Sequence, residues 1–125
     1  MSAAVLRAIA VGLAVLAAGC RPTPAPSDPD LARETLRQAL EAWKRGDPPD
    51  ALAKADPPVV AADRQWQGGA KLLDYTIHPA VEPKGFDQHF TATLSLQDAA
   101  GKRTQQKAAY DVSTTPKRVV VRGEG

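Results

Sequence analysis

After Gly68-Gly69 the chain changes period, and this change constrains the fold more than any other feature. From Ala70 onward, apolar residues recur at every second position, the spacing of a strand with one buried face. Four such runs follow, at about Lys71–Val81, Phe86–Gln97, Arg103–Val112 and Lys117–Arg122. Short stretches rich in Gly, Pro or polar residues separate them, at Glu82–Gly85, Asp98–Lys102 and Ser113–Pro116. Connections this short join antiparallel neighbours. The expected sheet is a four-stranded antiparallel meander.

The turns imply a register. A four-residue turn at Glu82–Gly85 places Val81 opposite Phe86, Ile77 opposite Phe90, Tyr75 opposite Ala92 and Leu73 opposite Leu94. The second loop places Phe90 opposite Tyr110, Ala92 opposite Ala108 and Leu96 opposite Thr104. The third places Tyr110 opposite Val119 and Ala108 opposite Val121. One apolar face then crosses all four strands, and a slip of one residue would expose it. The other face carries Asp74, Thr76, His78, His89, Thr91, Thr93, Ser95, Gln105, Lys107 and Asp111.

An amphipathic helix precedes the sheet. Leu36, Leu40 and Trp43 recur at helical spacing, flanked by Ala32 and Ala39. Asp28 suits the cap, Pro29 the first turn and Gly46 the position just past the end, which predicts a helix over Pro29–Arg45. Glu41 and Arg45 are spaced for an ion pair along it. Asp50 to Ala55 reads as one or two further helical turns, capped by Asp50 and ended by Pro57-Pro58. Val59 to Trp66 is ambiguous: VVAA suits a short strand, and Asp63 to Trp66 a helical turn. A helix laid on the apolar face of a sheet makes one α+β domain over residues 30–122, with a short tail at 123–125.

The order of a helix and then a curved four-stranded meander resembles the cystatin-like and nuclear-transport-factor-two-like group of cone folds. The resemblance covers about Asp30 to Arg122. In the enzymes of that group an acid or base sits inside the cone. The inward positions here are Leu73, Tyr75, Ile77, Phe90, Ala92, Leu94, Ala108, Tyr110, Val119 and Val121, with no carboxylate or histidine among them. General acid–base catalysis then lacks its residues, and the chain reads as no enzyme, with no cofactor. The order Trp66, Gly68-Gly69, Lys71-Leu72-Leu73-Asp74-Tyr75 followed by a meander is also similar to small bacterial lipoproteins that have no assigned activity.

The N-terminus carries the other strong signal. Met1 to Arg7 is short and basic, Ala8 to Leu16 is apolar and uncharged, and Ala17-Ala18-Gly19 are small. These are the three parts of an export signal, and the apolar run is too short to span a bilayer. Leu16-Ala17-Ala18-Gly19-Cys20 resembles the bacterial lipobox, with Ala17 where that pattern usually has leucine. The resemblance implies cleavage between Gly19 and Cys20 and a diacylglyceryl thioether on Cys20, which anchors the protein in the cell envelope. It also implies, from Arg21 in place of the aspartate that favours inner-membrane retention, the outer membrane. Cys20 is the sole cysteine, so an intramolecular disulfide is excluded. Residues 20–29 hold the Pro-rich run RPTPAPSDP, which favours an extended tether.

Composition excludes one class of partner. The chain has 16 basic and 14 acidic residues, and loss of Arg7 with the signal leaves 15 against 14. The basic residues are scattered rather than clustered, so no nucleic-acid partner is expected. The partners that remain are membrane lipid through Cys20, and an envelope protein or small ligand. The candidate contacts are few. Trp66 is either core or an anchor for a partner beside the glycine pair. Tyr75 and Tyr110 are either core or the polar groups of a ligand pocket on the concave face. His78 and His89, opposite one another in this register, form a weak candidate metal pair that lacks the third and fourth ligands of a zinc site.

Overall fold

The computed structural model describes residues 26–123. The segment ending at Cys20, the first part of the tether and the last two residues lie outside the described residues. Helix α1 spans Pro29–Arg45, as its capping residues predict. Asp28 accepts the Leu31 N–H at 3.0 Å. Gly46, at φ +93°, ends the helix in the left-handed conformation, where its N–H reaches Trp43 O and that of Asp47 reaches Ala42 O. This pair of bonds closes the orphan carbonyls of the last turn. The expected Glu41–Arg45 pair does not form. Glu41 accepts a bond from Tyr75, and Arg45 reaches Asp47.

A 3-10 helix follows at Pro49–Lys54, with Pro48 rather than Asp50 at its cap. Both halves of the ambiguous stretch become structured. Strand β1 is Val59–Ala62 and the single-turn helix α2 is Arg64–Gln67. Strands β2 (Lys71–Lys84), β3 (Asp87–Gln97), β4 (Arg103–Ser113) and β5 (Arg118–Arg122) complete the chain. The fold is α+β with an open, mixed, five-stranded sheet in the order β1-β5-β4-β3-β2. The four antiparallel strands are present, and β1 extends them by pairing parallel to β5.

The registers divide. Between β3 and β4 the expected pairing holds, with Phe90 opposite Tyr110, Ala92 opposite Ala108 and Leu96 opposite Thr104. Between β2 and β3 it does not. The hairpin closes over two residues, Gly85 and Phe86, with Lys84 opposite Asp87. Gly85 sits at φ +62°, which suits the first position of a two-residue turn. Val81 therefore faces Phe90, and Phe86 is 59% exposed rather than buried against Val81.

Two irregularities in β2 then reset its faces. The first, between Leu72 and Asp74, turns Leu72 inward (3% exposed) in place of Leu73. The second lies between Ile77 and Val81 and contains Pro79, which has no N–H to give a ladder. The freed carbonyls of His78 and Pro79 accept from the Arg33 guanidinium of α1 at 3.0 and 2.7 Å.

Between β4 and β5 the pairing is displaced by three residues, so that Tyr110 faces Arg122 and Val112 faces Val120. An odd displacement exchanges the two faces. Val120 is buried, whereas Val119 is half-buried and Val121 exposed, in place of the expected inward pair. Arg122 comes to the covered face as a result.

The core lies between α1 and one face of the sheet. It contains Leu36, Leu40, Phe90, Ala92, Leu94, Tyr110, Val112 and Val120, with Tyr75 and Ile77 packed at its edge. Trp43 and Trp66 stack at one end, with ring centroids 5.6 Å apart and planes 12° from parallel. Each indole N–H has a carbonyl partner, Ala70 for Trp43 and Asp47 for Trp66, as buried tryptophans require. At the other end Ser27 is 2% exposed and joins the chain entry to β3 and to the loop after β4.

Candidate functional site

The buried acidic side chain among the described residues is Asp63, 3% exposed. It stands where β1 ends and α2 begins. Its backbone is extended, and its Oδ1 caps α2 by accepting from the N–H groups of Gln65 (3.0 Å) and Trp66 (3.4 Å). Burial of Trp66 draws this turn into the core and carries Asp63 with it. Two side chains from the sheet meet the carboxylate there. Tyr110 donates its hydroxyl to Oδ2 at 2.6 Å. Arg122 Nη1 lies 3.1 Å from Oδ1 and 3.2 Å from Oδ2. The Arg122 guanidinium also donates to Gln65 Oε1 at 2.7 Å and stands 5.7 Å from the centre of the Tyr110 ring. Gln106 donates to the same Gln65 oxygen.

Four donors converge on one carboxylate. Burial and the adjacent Asp63 charge push the Tyr110 hydroxyl far above the ordinary tyrosine range, so it remains a donor. An open cleft of about 320 Å³ lies beside the group, lined by Asp63, Arg64, Gln65, Gln106 and Arg122.

Alternation along the sheet does not reveal Asp63, because it reaches the core from the β1–α2 junction rather than from a strand position. The readable signal is an aspartate placed to cap a helical turn that carries a tryptophan. The partner cation was hidden by the expected β5 register, which puts Arg122 on the open face.

Tyr75 reaches the same covered side of the sheet but a different partner. Its hydroxyl donates to Glu41 Oε2 at 2.5 Å. Burial first, and then this bond and the Glu41 charge, push its pKa up to about 12. The chain holds two tyrosines, and both are shifted upward. A raised pKa means that the folded state holds the proton more tightly than the unfolded state. The resulting stability is complete below the unfolded value near 10 and is lost as pH rises from there through the folded values. Tyrosinate absorbance in the ultraviolet is therefore expected to stay low as pH passes 10, then to rise steeply together with loss of the far-ultraviolet circular dichroism. A titration near 10 with the fold intact would contradict both bonds.

The two histidines are not brought opposite one another. His89 pairs across β2 with Glu82, and His78 falls in the second irregularity of β2. Each has its own partner: His78 Nε2 lies 2.9 Å from Thr93 Oγ1, and His89 Nδ1 lies 2.7 Å from Asp111 Oδ1. Lys84 joins Asp111 at 3.0 Å. Burial works to raise the Asp111 pKa, but the bonds from His89 and Lys84 outweigh it and hold the carboxyl below its ordinary range. Among the described residues, no group of three or more His, Cys, Asp or Glu side chains is arranged to hold a metal ion.

Trp66 is 7% exposed and is stacked rather than displayed. A shallow opening of about 360 Å³ lies beside the tryptophan pair, bordered by Gly46, Pro48, Pro49 and Gly69. Under α1, beside Tyr110 and Val120, the free space is about 10 Å³, about enough for one water. Comparison with protein-family models, curated proteins and solved structures finds no match to this chain.

Proposed function

We propose that this chain is a lipid-anchored lipoprotein of the cell envelope, on the outer membrane, whose domain is a non-catalytic interaction module. The observation that carries the reading is the placement of the sole cysteine, Cys20, at the end of an apolar export segment, after three small residues. The non-catalytic part is supported by the chemistry around Asp63. A general acid or base must reach a substrate proton with a free lone pair or a transferable proton. Asp63 is surrounded by donors from its own chain, and its neighbour Tyr110 is held protonated. A ligand seated on the concave face near Tyr75 and Tyr110 is the alternative reading. Beside Tyr110 it would have to displace α1, because the space there holds little more than a water. A cone-fold enzyme is the third. The likeness to the cystatin-like and nuclear-transport-factor-two-like cone rests on the helix crossing four consecutive antiparallel strands. The parallel edge strand β1 is an addition to that plan.

Membrane partition tests the anchor. Each buried methylene of an acyl chain contributes about 0.8 kcal/mol, so two or more chains hold a small domain on the bilayer stably. The native protein is expected in the membrane fraction and a Cys20→Ala variant cut free of its export segment in the soluble fraction. A soluble native protein, or a variant that stays with the membrane after losing that segment, would overturn the anchor.

A further inference from the structure

We propose that the β2–β3 hairpin tip at Gly85-Phe86 is the bilayer-facing end of the domain, with the Phe86 ring seated in the lipid interface. The proposal rests on the anchor at Cys20. Ser27 ties the chain entry to this tip. Its N–H donates to Phe86 O at 2.9 Å, its carbonyl accepts from Gln88 Nε2 at 2.7 Å, and its Oγ accepts from Thr114 N–H at 2.9 Å. The chain that leads back to Cys20 therefore leaves the domain beside Phe86. That ring is 59% exposed, more than Val60 or Val121, the other exposed large apolar side chains among the described residues. Rings of this kind settle at the boundary between headgroups and acyl chains.

Reach decides the orientation. Seven residues from Cys20 to Ser27 span at most about 25 Å, even fully extended. The 11 residues of β3 run from the tip to the far loop at 98–102, which places that loop about 35 Å away. The tether is too short for the domain to stand inverted. One ring gives weak attachment by itself, but the anchor makes its insertion an intramolecular event at high effective concentration. Of the charges flanking the turn, Lys84 is paired with Asp111, and Asp87 on the other side of Phe86 is acidic. The contact is therefore with the apolar interface rather than with anionic headgroups.

A thioether at Cys20 leaves the lipidated chain without a free thiol, so Phe86→Cys or Ala100→Cys introduces the single site for a nitroxide label. The full-length lipidated variants are placed in vesicles of zwitterionic phosphatidylcholine. One label per chain is expected. At position 86, collisions with membrane-dissolved oxygen should exceed those with a water-soluble nickel chelate, and the order should reverse at position 100 in the far loop. One label per chain with position 86 as water-exposed as position 100 would overturn the tip and leave the anchor standing. A preference for oxygen at both positions would lay the domain on its side and overturn the tip as well. Two labels per chain would show a free Cys20 thiol, and both the anchor and the tip would fall.

Discussion

Replacing Asp63 with alanine is expected to destabilise the domain by about 3–5 kcal/mol, the range for breaking a buried ion pair by removal of one partner. The loss has several parts. Arg122, with its side chain 14% exposed, is left without its counter-charge. Tyr110, 1% exposed, keeps a buried hydroxyl with no acceptor. Helix α2 loses its cap, itself worth about 1 kcal/mol. For a domain of this size each kcal/mol moves the melting temperature by about 4–8 °C, so a fall of at least about 12 °C should appear in calorimetry. Asp63→Asn should lose somewhat less, because its single amide oxygen can keep the α2 cap, but its NH2 then faces the Tyr110 hydroxyl and it cannot neutralise Arg122. The sign of the effect separates two roles. A carboxylate held in a strained, reactive setting tends to be neutral or stabilising when removed. An unchanged or raised melting temperature in Asp63→Ala would therefore contradict a structural role.

The two phenylalanines should respond in opposite ways to the same substitution. Phe90 is fully buried in the middle of β3, between Val81 and Tyr110 in the neighbouring strands, with the Arg33 guanidinium 5.2 Å from its ring centre. Phe90→Ala removes that ring and its contact with Arg33, leaves a cavity, and should cost about 3–5 kcal/mol. In a domain whose whole stability is about 5–15 kcal/mol, this brings the fold close to its threshold. Phe86→Ala, at the exposed tip, should stay within about ±0.5 kcal/mol. Urea denaturation of both variants checks the pair. Comparable losses would mean that Phe86 is packed, as the simple alternation implies.

Those two residues also mark what was legible in the sequence. Alternation places Phe86 and Phe90 on one face, and the β2–β3 turn breaks the rule at Phe86. Helix α1 was readable to the residue, because Asp28, Pro29 and Gly46 act within a turn of their own positions. The β3–β4 register was readable because regular alternation of Phe90, Ala92 and Leu94 faces Ala108 and Tyr110 across a short loop. The β2 register depended on a bulge at Pro79 whose carbonyls are taken by Arg33, 46 residues earlier. Local spacing carries no record of such a contact. The β5 register followed a long-range partner too. Burial of Asp63 demands a cation, and the displaced pairing supplies Arg122 while turning Val120 into the core. The site was hidden for the same reason, since each of its members is unremarkable until Trp66, Tyr110 and Arg122 converge on one carboxylate. The histidine pair was an artefact of the four-residue turn: closing the hairpin over Gly85 and Phe86 moves His89 opposite Glu82.

The intact mass of the protein purified from its own membranes tests the central claim most directly, because it reads the processing site and the modification together. A lipid-anchored lipoprotein predicts a chain that begins at Cys20, 106 of the 125 residues, with the added mass of a diacylglyceryl group and of any acyl chain on the new amino group. A chain that still begins at Met1, or one cut elsewhere with an unmodified Cys20, would contradict it.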